Sequence, residues 1–129
     1  METLIVIVIM GILSTLAMSH YQGIYEQQLD REAEGNLRII TSAQRAFQID
    51  NQGLYYPPSL LPANDNNIAR INTNLMITVP TRNWTYQVFS FNNRNPRAFC
   101  TRAQRNGADN RIWRLNMNDV AMVANGQCL

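Results

Sequence analysis

Few residues in this 129-residue chain have the type and spacing to do chemistry. His20 is the sole histidine, which removes a His-based zinc site and any paired-histidine acid–base device. Cys100 and His20 as nucleophile and base would need a strand from the second half of the chain to reach the edge of its apolar N-terminus, an arrangement the pattern disfavours. No Walker loop and no GxGxxG occurs. Asp65-Asn66-Asn67 and Asp109-Asn110 carry oxygen ligands, but without EF-hand spacing they suit turns better than calcium. Asn83-Trp84-Thr85 matches a glycosylation sequon by pattern alone and opens a strand-like run. The expectation is a non-enzyme with no catalytic residues, no cofactor and no metal.

Three sets of residues remain. Glu2 opens an otherwise uncharged run over residues 3–25, where an ionised carboxylate is costly unless it reaches the interface or finds a partner. Cys100 and Cys128, with 27 residues between them, are the only cysteines. Arginine supplies all 11 cationic side chains, and six of them (Arg94, Arg97, Arg102, Arg105, Arg111 and Arg114) fall within 21 positions against Asp109. Charge is split along the chain. Residues 26–50 hold five acids and three arginines, net −2, whereas residues 70–129 hold eight arginines and two aspartates, net +6. A basic sheet with Phe99 and Trp113 interleaved could contact nucleic-acid phosphates and bases. Equally, it could face the acidic helix of a neighbouring subunit or simply be solvated.

These residues need elements to hold them. The run over 3–25 would reach about 35 Å as a helix, enough to cross a bilayer core. Its flanks argue against a cleaved signal, because the early charge is acidic and the run flows directly into a helical pattern. After Tyr25 the apolar set narrows to Leu29, Ala33, Leu37, Ile40, Ala43 and Phe47, one helical stripe. Glu26, Asp30 and Glu34 follow at i,i+4 on another face, with Arg38 in reach of Glu34. The pattern stops at Asp50-Asn51-Gln52-Gly53, a C-cap signal, and Tyr55-Tyr56-Pro57-Pro58 forbids more helix. One helix from about residue 2 to 51 is therefore expected, apolar over 1–25 and amphipathic beyond. The rest of a globular unit spanning 26–129 follows: a connection over 52–82, a sheet over 84–117 and a C-terminal loop to 129. Within the connection, a helical turn near residues 66–72 and a strand-like Met76-Ile77-Thr78-Val79 are expected. Residues 84–91 alternate apolar and polar for eight positions, the strongest strand signal in the chain. Residues 98–105 and 111–117 read as two more strands, with a short fourth near 120–123. The fold class is α+β, a long N-terminal helix packed on a small three- to four-stranded antiparallel sheet.

With Glu2 nine residues before Gly11-Ile12-Leu13, six aliphatic residues from Leu4 to Ile9 between them, and Tyr21 beyond, the N-terminus resembles that of type IV pilins and pseudopilins. The similarity covers roughly residues 1–56. Two departures stand out. The family normally places a few more residues, beginning with a methylated Phe, ahead of the glutamate, where this sequence has Met1 alone. Its usual helix-kinking proline is Ser19 here. The resemblance implies the pilin fold and a subunit of a cell-surface pilus or fimbrium, a helical homopolymer. It also implies an inner-membrane pool before assembly, a pilus assembly machinery as partner, and Glu2 pairing with the N-terminal amine of a neighbour. A disulfide between Cys100 and Cys128 is expected for an exported domain, the alternative being two unrelated thiols. A C-terminal disulfide-bounded loop also belongs to the resemblance, and its absence from many type II secretion pseudopilins disfavours that related reading. Outside the family, the alternative is a single-span protein whose ectodomain binds a ligand, DNA or a surface. Gly11, Ser14, Thr15 and Ser19 are weak helix formers grouped within nine positions, a candidate stretch for helix unwinding in an assembled subunit. Tyr21, Tyr25, Phe47, Tyr55 and Tyr56 could line an aromatic path, although core packing explains them as well.

Overall fold

A computed structural model describes residues 2–107, 109–119 and 121–128 of the chain. The elements run α1 (Glu2–Asp50), β1 (Ala63–Asp65), α2 (Ile68–Leu75), β2 (Trp84–Phe91), β3 (Ala98–Arg105), β4 (Ile112–Asn116) and β5 (Val123–Ala124). The five strands form one open sheet in the order β1-β2-β3-β4-β5, every pairing antiparallel. The class is α+β, with one strand more than the upper expectation. The chain divides into two units, Met1–Glu32 and Ala33–Leu129.

The described part of the first unit is helical throughout, and residues 2–25 are all exposed. Leu4 keeps 63% of its surface and Met18 73%, so the side chains of this apolar stretch stand out from the helix. The helix is long and apolar enough to cross a membrane.

In the second unit the remainder of α1 presents Ala33, Leu37 and Ile40 to the core. The next buried step is not Ala43 or Phe47, as the apolar stripe implied, but Gln44. A glutamine is tolerated there because both ends of its amide are used: Nε2 donates to the Tyr56 carbonyl at 2.7 Å and Oε1 accepts the Tyr56 N–H at 2.8 Å. Asn36, also buried, donates to the Tyr86 hydroxyl at 2.8 Å. Alternation along β2 sets the other wall of the core, with Trp84, Tyr86, Val88 and Ser90 buried. Phe99, Thr101 and Ala103 of β3 lie opposite the last three of these in the ladder, and Leu115 of β4 is paired with Thr101.

Helix α1 stops where the C-cap signal stands. Gln52 and Gly53 both take positive φ, 56° and 83°, and the Gly53 N–H returns to the Gln48 carbonyl at 2.9 Å. The connection departs from expectation in two ways. Ala63-Asn64-Asp65 has little strand propensity yet forms β1 by pairing with Ser90, Phe89 and Val88 at the β2 edge. Residues 76–79 do not form a strand. Met76 instead caps α2 in the left-handed conformation (φ 54°), and the Asn72 side chain bonds both the N–H and the carbonyl of Val79 as a neighbouring strand would. The short last strand is Val123–Ala124 rather than 120–123, and Val120 lies outside the described residues.

Candidate functional site

The residues singled out from sequence fall into three places. Glu2 is the first residue of α1, at the exposed end of the apolar half. Gly11 has open space around its Cα, so another helix could approach the backbone there. The hydroxyls of Ser14, Thr15 and Ser19 bond back into their own helix, to the carbonyls of Met10 (2.7 Å), Ile12 (2.8 Å) and Leu16 (3.0 Å). They leave no polar group bare on this stretch, and α1 is unbroken through it. The same hydroxyls are the groups able to take up backbone partners if the turn opens.

Cys100 and Cys128 form a disulfide, their Cα atoms 5.7 Å apart. Cys100 is opposite Phe89 and Asn116 in the ladder, within β3. The bridge therefore ties the segment after β5 back to the middle of the sheet.

The six arginines do not gather into one patch; they form three pairs. At one end of the β2–β3 hairpin the Arg94 guanidinium lies 4.3 Å from the centre of the Phe91 ring, and Arg97 donates to the Gln52 carbonyl at 3.1 Å. At the opposite end Arg105 and Arg111 share the Asp109 carboxylate, at 2.9 and 3.1 Å. Between these ends Arg102 and Arg114 face each other across β3 and β4. Sequence spacing placed the six together; the antiparallel path separates them by a strand length.

A further constellation lies in the connection and was not legible as such. The buried Asp65 carboxylate accepts from the Tyr56 hydroxyl at 2.6 Å, the Asn67 N–H at 2.8 Å and Arg70 at 2.9 Å. Burial alone would raise its pKa, but these three donors together outweigh burial and hold it below the ordinary carboxylate value. Burial pushes the Tyr56 hydroxyl up to about 12, with its bond to the anionic Asp65 adding to the rise. Asn74 donates to the same hydroxyl at 3.2 Å. Asp65 thus fixes the start of α2 and the helix exit instead of standing open to a cation. The only advance sign was Asp65 two residues before Asn67, the residue that caps α2 by accepting the Arg70 N–H.

Asn92 completes the clamp. Its Oδ1 accepts the Tyr55 N–H at 2.8 Å, and its Nδ2 points at the carbonyls of Tyr55, Pro57 and Ser59. The path from helix to sheet is thereby held by buried amides. No group of three or more His, Cys, Asp or Glu side chains suited to a metal ion occurs among the described residues. Comparison with protein-family models, with curated proteins and with solved structures gives no match.

Proposed function

We propose that this chain is the structural subunit of a type IV pilus-like filament, a non-enzymatic protein whose mechanism is assembly. The observation that carries the reading is the apolar half of α1. Residues 2–25 are exposed along their whole length, with one acid at the start and the Gly11-Ile12-Leu13 sequence nine residues on, in a chain whose second unit is a disulfide-closed sheet. A surface of that kind is stable in lipid or against copies of itself, and not in water. In the proposed cycle the subunit rests in the inner membrane by this segment. An assembly machinery then transfers it into a helical homopolymer on the cell surface, with apolar helices bundled in the centre and sheets outside. Glu2 pairs with the N-terminal amine of an adjacent subunit, which favours one register because any other leaves a buried charge unpaired. Repetition of one such heterologous contact grows a filament and not a closed ring.

Electron microscopy of material sheared from cells tests the proposal directly, with filaments containing this chain as the expected result. Glu2→Ala should leave membrane insertion and sheet folding intact while abolishing or sharply reducing filaments. A normal filament yield from that variant would remove the pairing argument. A chain found only as a membrane-anchored monomer would favour the single-span ligand- or DNA-binding reading.

A further inference from the structure

Two asparagines of the second unit stand immediately before glycine, in Asn106-Gly107 and Asn125-Gly126. An asparagine so placed carries a reaction of its own. The backbone nitrogen of the next residue can attack the side-chain Cγ, and glycine, lacking a Cβ, leaves that approach open. Both asparagines are exposed. The fold nevertheless treats them differently.

The Asn106 amide is held at both ends. Its Oδ1 accepts the Thr85 hydroxyl at 2.6 Å, and its Nδ2 donates to the Thr81 carbonyl at 3.0 Å. Bringing its Cγ to the Gly107 nitrogen turns the side chain out of both bonds. Two hydrogen bonds of ordinary net strength slow such a step by about tenfold or more. Charge beside this turn is also compensated, since Arg105 and Arg111 share the Asp109 carboxylate.

Asn125 follows the last residue of β5, outside the ladder. Its backbone N–H donates to the Ile112 carbonyl at 2.9 Å, a bond that rotation about its ψ leaves intact. Among the described residues nothing bonds its side-chain amide or the Gly126 N–H. The Arg114 side chain runs along this segment. A Cβ at Gly126 would collide with Arg114 Cγ, Cδ and Nε, and Arg114 Nη1 donates to the Gln127 carbonyl at 2.8 Å. Arg102 stands directly opposite Arg114 in the ladder, and like charges so placed are unfavourable without a counter-charge. No described carboxylate pairs with either arginine: Asp109 is engaged as above, and Asp119 accepts the Asn116 N–H at 2.8 Å. An uncompensated cation beside Gly126 favours loss of its N–H proton and the negative charge that develops as the nitrogen attacks.

We propose that Asn125 is a site of spontaneous self-modification, its amide converted to a carboxylate with the Arg114 charge promoting the step. The Gly126 nitrogen gives up its proton and bonds to Asn125 Cγ. The Cγ–Nδ2 bond breaks, and Nδ2 leaves with that proton as ammonia. A five-membered succinimide results. Water then adds to one ring carbonyl, whose bond to the Gly126 nitrogen breaks as that nitrogen regains a proton. Opening at Cγ gives aspartate, and opening at the backbone carbonyl gives isoaspartate. Nothing is oxidised or reduced, and water is the sole co-reactant. The new carboxylate belongs to a residue whose Cα lies one peptide step, about 3.8 Å, from that of Gly126. It therefore brings a negative charge to the segment that Arg114 lines, where the arginine pair has none. The site does not depend on whether the chain forms filaments.

The test incubates the full chain in detergent micelles at mildly alkaline pH. Peptide mapping by mass spectrometry follows each asparagine, and enzymatic methylation counts isoaspartate. In the urea-unfolded chain both pairs are released and should convert at similar rates. In the folded chain Asn125 should convert about tenfold faster than Asn106 or more. Thr85→Val, which removes one of the two bonds on the Asn106 amide, should raise the Asn106 rate about fivefold and leave Asn125 unchanged. Arg114→Gln should slow Asn125 severalfold, whereas Arg114→Lys, which keeps the charge, should retain the parent rate. The proposal is overturned if Asn106 converts as fast as Asn125 in the folded chain, or if Asn125 stays intact while the unfolded chain reacts. An Arg114→Gln rate at or above the parent's overturns the promoting role. The comparison of the two asparagines uses the unsubstituted chain, so it decides even where a variant fails to fold.

Discussion

Replacing Asn92 by Ala should cost the second unit about 3–4 kcal/mol. Asn92 is 4% exposed and makes four hydrogen bonds to the segment between α1 and β1. Their loss is unequal. The Pro57 carbonyl keeps the Ser59 N–H and the Ser90 hydroxyl, and the half-buried Ser59 can turn to water. Tyr55 has no such recourse, because its N–H and carbonyl lie inside and both relied on Asn92. Two orphaned buried groups at about 1–3 kcal/mol each, with a small cavity beside them, give the figure above. For a domain near 100 residues that corresponds to a fall in Tm of about 12–20 °C or more. The assay is urea and thermal unfolding of the full chain in detergent micelles, followed by near-ultraviolet circular dichroism, to which the buried Trp84 contributes. Asn92→Asp is the informative partner. It keeps the acceptor for Tyr55 but turns the donor into lone pairs facing carbonyls, so it should be at least as harmful at neutral pH and recover partly in acid. A loss below about 1 kcal/mol in the Ala variant would refute the claim that this amide clamps the connection.

Removing the disulfide with Cys100→Ser and Cys128→Ser should cost about 3–4 kcal/mol in the chain-entropy account, since 27 residues lie between the cysteines. Thiol labelling of the unfolded, unreduced parent should find neither residue, and stoichiometric labelling would contradict the bridge. Stability should fall at both ends of the pH range. The folded pKa of Asp65 is depressed, so its contribution is present above about pH 4 and lost as pH drops through the lower folded value. Tyr56 titrates at about 12 when folded against about 10 unfolded, so stability should fall by about 2–3 kcal/mol as pH rises between those values. Tyr56→Phe should flatten much of the alkaline limb in a pH series of unfolding curves. Lastly, assembled subunits should show a break or stretch of α1 within residues 11–20, where four weak helix formers sit; a filament map with unbroken i→i−4 bonds from residue 4 to 50 would refute it.

Sequence by itself determined the long helix, its change of character after Tyr25, its stop near Gly53 and the strand at 84–91. Each rests on local periodicity or on a backbone conformation that one residue type favours, and such signals need no distant partner. The same holds for the separation of acidic and basic halves. What tertiary structure decided are the pairings that no period encodes. Gln44 and Asn36 replace apolar side chains in the core because Tyr56 and Tyr86 stand opposite them. Ala63–Asp65 becomes a strand because the edge of β2 offers unpaired backbone groups, and 76–79 does not because Asn72 meets that need first. The arginines, adjacent in sequence, are parted by the antiparallel path into three pairs, one of which places two like charges face to face. A hydrogen bond or an ion pair between residues 10 to 70 positions apart depends on where the chain has already been folded by its apolar surfaces. The polar packing of the second unit is therefore set by contacts that only the completed sheet brings within reach.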